Sequence, residues 1–343
     1  MKSLRRLSSF LIAATLITLI CSCGTDRTSL VIYSPHGREM LSAYKERYEA
    51  AHPHVNIQWF SMGAEVGLER LRAERANPQA DLWWGGPATI FEQGEREGLL
   101  DPYAPSWREH AIAGSYSESD AWYSTFLSVK VIGYNDEVLG PEQAPQDWDD
   151  ILDERWRDKV IIRSPMESGT MKSVFAGMMY RKSRETGSIE AGYDWLRNLD
   201  RNTKAYAASP ATLMLMLSRR EGLVTLWDLT DILLQRREQN VPISYRIPTS
   251  GAVVLNEGIA IVKNASNRDL AVDFYEFVTS AEELRWQAEY FYRVPARTDI
   301  HTSELPDWLR ELEYRELPLD WEEIGRHRED WMQFWDQNIK NRG

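Results

Sequence analysis

The chain has 343 residues, with 40 Lys and Arg against 52 Asp and Glu, and a formal net charge of −12 at pH 7. That balance excludes a protein that works by neutralising nucleic-acid phosphates, while 43% hydrophobic residues suffice for ordinary packed cores. At ~150 residues per domain the length predicts two domains.

Lys2, Arg5 and Arg6 precede an apolar run, Phe10 to Ile20, that ends at Ile20-Cys21-Ser22-Cys23-Gly24. This is the layout of a secretory leader, and the run falls short of the roughly 20 apolar residues of a membrane-spanning helix. With small Ser22 directly before Cys23 and aliphatic Ile20 at the third position before it, the segment resembles a bacterial lipobox. Residues 1–22 are then a lipoprotein signal peptide, Cys23 is the lipidated first residue of the mature chain, and residues 23–29 are a tether. Cys21 fits less well because bulky Ile20 precedes it; an ordinary secretory leader that contains cysteine is the alternative. Both cysteines lie here, so the mature chain has no pair for an internal disulfide and depends on its core. Loss of Lys2, Arg5 and Arg6 with the leader takes the net charge to −15.

Leu30-Val31-Ile32-Tyr33 reads as a buried strand that closes in a loop at Ser34-Pro35-His36-Gly37. Met40, Tyr44, Tyr48 and Ala51 follow at helical spacing until Pro53. Val55, Ile57 and Trp59 alternate as a strand, a helix covers about Val66 to Ala76, and Asp81-Leu82-Trp83-Trp84 starts a third strand that breaks at Gly85-Gly86-Pro87. Strands alternating with helices predict a mainly parallel sheet covered on both faces. A second series comprises the strand-like Phe126 to Tyr134, the strand Val160-Ile161-Ile162, a helix over Thr170 to Tyr180, a helix begun by Ser209-Pro210, and the strand Leu223 to Trp227. Gly251 to Val262 reads as a hairpin or strand pair. The chain therefore crosses between two α/β units twice, near Leu127 to Lys130 and near Ser244 to Ile247, as a hinge would require. The expected division is lobe 1 at 30–128 plus 247–300, lobe 2 at 129–246, and a helical C-terminal extension at 301–343 packed on the outside.

In expected order the chain carries Leu30-Val31-Ile32-Tyr33-Ser34, Pro78-Gln79-Ala80-Asp81-Leu82-Trp83-Trp84-Gly85-Gly86, Glu97-Gly98-Leu99-Leu100, Gly133-Tyr134-Asn135 and Pro165-Met166-Glu167-Ser168-Gly169-Thr170. On these segments it resembles the bacterial extracellular solute-binding proteins of ABC importers related to ferric, phosphonate, sugar-phosphate, polyamine and thiamine binders. The resemblance implies a two-lobed, type II-like periplasmic-binding-protein fold of the α/β class, with two hinge crossovers and a ligand held between the lobes at strand carboxyl ends. The matching loops are Ser34 to Gly37, Trp84 to Pro87, Ser168 to Thr170 and Trp227-Asp228.

The candidate ligand-binding residues are therefore Ser34, His36, Gly85, Gly86, Ser168, Gly169, Thr170, Trp227 and Asp228. The Ser168-Gly169-Thr170 helix start offers free N–H groups and about half a positive charge, which suit phosphate, sulfate or carboxylate; Ser168 as a plain N-cap is the alternative. Asp228 can accept from hydroxyls or pair with an ammonium, or else it caps the helix that follows. Trp83, Trp84 and Trp227 are either core or an apolar wall for the ligand. Ferric-binding relatives add an adjacent tyrosine pair after a late strand. Here that place reads Leu226-Trp227-Asp228-Leu229, and the Gly85-Gly86-Pro87 loop has no carboxylate, so ferric iron ranks below a phosphorylated or phosphonate-type organic anion.

The sequence has no nucleophile elbow, His-x-x-x-His pair, dinucleotide fingerprint or P-loop. A secreted hydrolase is the reading from another class, and a surface scaffold a third. The expectation is a non-enzymatic, monomeric lipoprotein without cofactor. It partners a small-molecule ligand and an ABC permease but no nucleic acid, and it stands in the periplasm or on the outer face of the cytoplasmic membrane.

Overall fold

A computed structural model describes residues 27–342; the leader and Cys23 lie outside the described residues. The first strand, β1 (Thr28–Ser34), contains the apolar run Leu30 to Tyr33. Helix α1 (Arg38–Ala51) buries Met40, Tyr44 and Tyr48 on one face, as their spacing predicts. There follow β2 (Val55–Ser61), α2 (Ala64–Ala73), β3 (Leu82–Pro87), α3 (Ala88–Arg96) and the short β4 (Leu100–Asp101). A twelve-residue strand, β5 (Tyr123–Tyr134), leads into the second series. That series comprises β6 (Val160–Arg163), α4 (Gly169–Thr186), α5 (Ile189–Asn202), β7 (Thr203–Ala207), α6 (Pro210–Ser218), β8 (Val224–Asp228) and α7 (Leu229–Gln239). The chain returns through β9 (Ser244–Arg246) and β10 (Val253–Val262) to α8 (Arg268–Val278), α9 (Ala281–Phe291) and β11 (Val294–Pro295). It ends with α10 (Asp307–Arg310) and α11 (Trp321–Asn338).

The main strands lie in the order β2-β1-β3-β10-β5-β8-β6-β7. Parallel pairs occupy the two ends, β1 with β2 and β3, and β6 with β7 and β8. In the middle, β10 runs antiparallel to both β3 and β5. Residues 123–130 of β5 pair with β10, whereas residues 130–134 pair with β8, so one strand belongs to both ends of the sheet. Every residue of β5 is buried, as expected of a strand covered on both faces.

Two cores sandwich the first end of the sheet. Side-chain alternation sends Leu30, Ile32 and Trp84 to the face of α1 and α8, with Tyr44 and Phe274, and Tyr33 and Trp83 to the face of α2 and α3, with Leu68 and Phe91. Trp83 and Trp84 are thus both core. A third core fills the other end, joining Val131, Ile161, Phe175, Trp195 and Leu226 to Trp335 of α11. The C-terminal segment carries α10 and α11, with a non-helical stretch between them, and α11 seats Met332 and Trp335 in the third core.

The expectation for Gly251 to Val262 needs correcting, because β10 is a single ten-residue strand. The strand is interrupted only by a β-bulge, where the register against β5 shifts between Glu257 and Gly258. Gly258 is required there, since a Cβ would come 2.6 Å from the Phe91 ring.

Candidate functional site

The carboxyl ends of β1 and β8 and the middle of β5 converge on a cavity of about 370 Å³ between the two ends of the sheet, within the size range of small-molecule sites. One side contributes Pro35, His36, Gly37 and Glu257, the other Thr170, Pro210, Met214, Trp227, Asp228 and Asp231. Phe126, Ser128 and Lys130 of β5 line it from the shared strand, and Arg293 enters after α9. Three helices of eight or more residues begin at its wall, with Gly37 as N-cap of α1, Thr170 in the first turn of α4 and Pro210 opening α6. Their first-turn N–H groups and dipoles favour an anion.

Within this cavity Lys130 is 1% exposed and Asp228 5%. Lys130 Nζ donates to Asp228 Oδ2 at 2.5 Å, and Ser128 Oγ donates to the same oxygen. Asp228 Oδ1 accepts the Thr230 amide at 3.0 Å as the N-cap of α7. The residue lines the cavity and caps α7, and its carboxylate is engaged by Lys130 and Ser128 of the protein itself. Burial works against ionisation of Asp228, but Lys130 and then Arg293 hold its carboxyl below the usual carboxylate range. Burial and the Asp228 charge push neighbouring Asp231 up to about 6. It accepts the Trp227 indole N–H at 2.9 Å.

Arg293 owes its place to a turn. Tyr292, the C-cap of α9, adopts φ 52° and reverses the chain, and β11 then pairs with Phe126 and Leu127. The guanidinium lies 4.5 Å from the Phe126 ring centre, and its Nε is buried without a hydrogen-bond partner. His36 Nε2 is likewise buried without one. Its ring stands edge-on to Trp84 at 5.0 Å, and burial and then Arg293 lower its pKa well below the ordinary histidine value. The site therefore presents a neutral imidazole and a guanidinium with an unused donor to whatever enters.

The other candidates lie around this cavity in supporting positions. Ser34 is fully buried, and its Oγ accepts the His36 amide at 3.2 Å. Gly85, at φ +101°, passes so close to His36 that a Cβ would lie 2.6 Å from its ring. The Gly86 amide is already taken, donating to Glu257 Oε2 at 2.8 Å. Ser168 caps α4 by accepting from the Met171 amide at 3.3 Å, and Gly169 is the first residue of that helix.

The model of the family described as bacterial extracellular solute-binding protein matches residues 87–324. The chain belongs to this family. The solute-binding protein is 24% identical over 328 residues to a probable ABC transporter periplasmic-binding protein of Sinorhizobium fredii, covering 95% of this chain and 90% of that one. It is 26% identical over 255 residues to a candidate 2-aminoethylphosphonate-binding periplasmic protein of Salmonella typhimurium, covering 73% and 72%. Among solved structures, a ferric binding protein from Campylobacter jejuni superposes with a TM-score of 0.78 at 17% identity, covering 90% of this chain and 98% of that one, which shows a common fold.

Sequence reasoning missed Lys130, Asp231, Glu257 and Arg293 in the solute-binding protein. Lys130 left a signal, because a lysine inside the apolar run Phe126 to Tyr134 demands a buried counter-charge. Glu257 stands at the bulge that turns it into the cleft, and burial raises its pKa above the usual range. Among the described residues no group of three or more His, Cys, Asp or Glu side chains is placed to hold a metal ion.

Proposed function

We propose that the protein captures a small organic anion of the phosphorylated or phosphonate type between its two lobes and delivers it to an ABC permease. The observation that carries this reading is the half-buried Arg293, whose Nε is shielded from water and has no partner, in a cavity where α1, α4 and α6 begin. Arginine offers a planar fork that matches phosphoryl oxygens, and helix starts add N–H donors without adding mobile charge. Asp231 and Glu257, facing the same cavity, suit the other end of the ligand, which carries hydroxyls or an amine. The Sinorhizobium relative supports the transport role and the Salmonella relative the phosphonate class. The protein works without turnover or cofactor, as a monomer in the periplasm or on the outer face of the cytoplasmic membrane, held by lipid on Cys23.

A melting-temperature panel tests the ligand class. A ligand at 100 times its dissociation constant stabilises the fold by about 2.7 kcal/mol. Phosphonates and phosphorylated sugars raise the melting temperature, their unphosphorylated counterparts do not, and Arg293→Ala abolishes the response. A shift given only by ferric iron or by a neutral sugar overturns the anion assignment.

A further inference from the structure

The C-terminal extension touches both lobes, the foot of β10 with α2 and α3 on one side and α4 with β7 on the other. Its approach segment pairs with the foot of β10: the Ala252 amide donates to Arg315 O at 2.8 Å and the Leu317 amide to Ala252 O at 2.7 Å. The last two turns of α11 are fixed to lobe 2. Trp335, fully buried, meets Phe175 of α4 edge-on at 5.5 Å and Tyr206 of β7 at 5.2 Å.

The first half of α11 reaches the other lobe. Arg328, 8% exposed, donates from Nη1 to Thr89 Oγ1 in the first turn of α3 at 2.8 Å. Its Nη2 lies 3.5 Å from Glu65 in the first turn of α2. Lys172 of α4 lies 3.6 Å from the same Glu65 oxygen, and Glu329 links the two cations from behind, at 3.2 Å from Lys172 and 3.3 Å from Arg328. Lobe 1 therefore supplies one carboxylate and one hydroxyl to two cations carried by lobe 2 and its extension. None of these four charged side chains lines the cavity above.

We propose that Arg328 is a positioning residue, the centre of an interlobe clasp that favours the closed arrangement before any ligand arrives. Opening would leave the Trp335 packing intact but strip a nearly buried guanidinium of its partners on lobe 1. Water replaces those partners on opening, so the clasp biases the equilibrium by about the worth of one charged hydrogen bond and a half-exposed ion pair. The clasp thus sets how much of the free protein is already closed, and a ligand that needs the closed form binds more tightly in proportion.

The test uses no ligand, so it stands apart from the anion assignment. Paired spin labels at exposed Arg75 in lobe 1 and Arg184 in lobe 2, in a Cys21→Ser, Cys23→Ser background, report the interlobe distance. Arg328→Ala is expected to raise the open-to-closed ratio about tenfold, within the usual range of coupling between distant elements. Glu65→Gln, which leaves α11 untouched, shifts it in the same direction, and the double variant shifts it by less than the sum of the two. If Arg328→Ala loses its fold by circular dichroism, Glu65→Gln alone decides. Distance distributions unchanged from the unsubstituted protein in every folded variant overturn the clasp.

Discussion

Lys130 and Asp228 form an ion pair of 2.5 Å with both side chains almost fully removed from water, 1% and 7% exposed. They come from adjacent antiparallel strands in direct register, so the sheet itself places the ammonium against the carboxylate. Removing one partner strands the other charge, a change that costs about 3–5 kcal/mol, whereas replacing both with apolar residues of similar volume is often near neutral. Asp228→Ala should therefore lower stability in urea far more than the Lys130→Met, Asp228→Leu double variant. Equal losses would show that the two charges do not depend on each other. Arg293→Ala is accordingly the better probe of ligand binding, since Asp228→Ala disturbs the floor of the site itself.

Asp231 gives the fold a pH dependence. Its carboxyl rises from the ordinary 3.8 to about 6, so the fold disfavours its ionised form. The associated stability is fully present below about pH 3.8 and is lost as the pH climbs through 6. Asp231→Asn keeps an acceptor for the Trp227 indole and should raise stability at pH 7.5 by an amount on the order of 1–3 kcal/mol. The gain should shrink steadily from pH 6 toward pH 4 in parallel melts. A gain of the same size at every pH would rule out Asp231 as its source.

Gly85 and Gly98 both adopt positive φ, +101° and +67°, but only Gly85 abuts a neighbour, the His36 ring. Gly98→Ala meets backbone strain alone, roughly 1–2 kcal/mol. Gly85→Ala should cost more and should also displace the imidazole, visible as a moved His36 resonance by NMR. A smaller loss for Gly85→Ala than for Gly98→Ala would mean that the ring gives way freely.

The proposal of a lipid anchor rests on the Ile20-Cys21-Ser22-Cys23 spacing. Cys23→Ser should release the protein from the membrane fraction in a cell fractionation, and retention of Cys23→Ser together with release of Cys21→Ser would move the attachment to Cys21.

Local patterns carried most of the architecture. Leu30 to Tyr33, the Met40, Tyr44 and Tyr48 face, and the Ser209-Pro210 start each announced an element because propensity, spacing and capping agreed over a few residues. The site was legible only as loops. Besides Asp228, its charged residues Lys130, Asp231, Glu257 and Arg293 come from four separate stretches, and only Lys130 stands out from its own neighbours. Arg293 follows α9 at a reversal made by Tyr292 in a left-handed conformation, which a tyrosine does not advertise. Only the folded sheet shows that these four charges share one cavity.

The position of β10 between β3 and β5 bears on the order in which the chain can fold. A polypeptide emerging from its N-terminus first makes β1, β2, β3 and β5 early, but the strand that joins β3 to β5 ends at Val262. Until then the first lobe lacks its central strand, and two apolar edges stay unpaired while the whole second lobe, from β6 to α7, has already been made. The second lobe, whose parallel strands are contiguous in sequence apart from the shared β5, can assemble first. The earliest part of the chain is thereby kept from closing into a finished domain until three-quarters of its length is available, a delay written into strand order and not into any single residue.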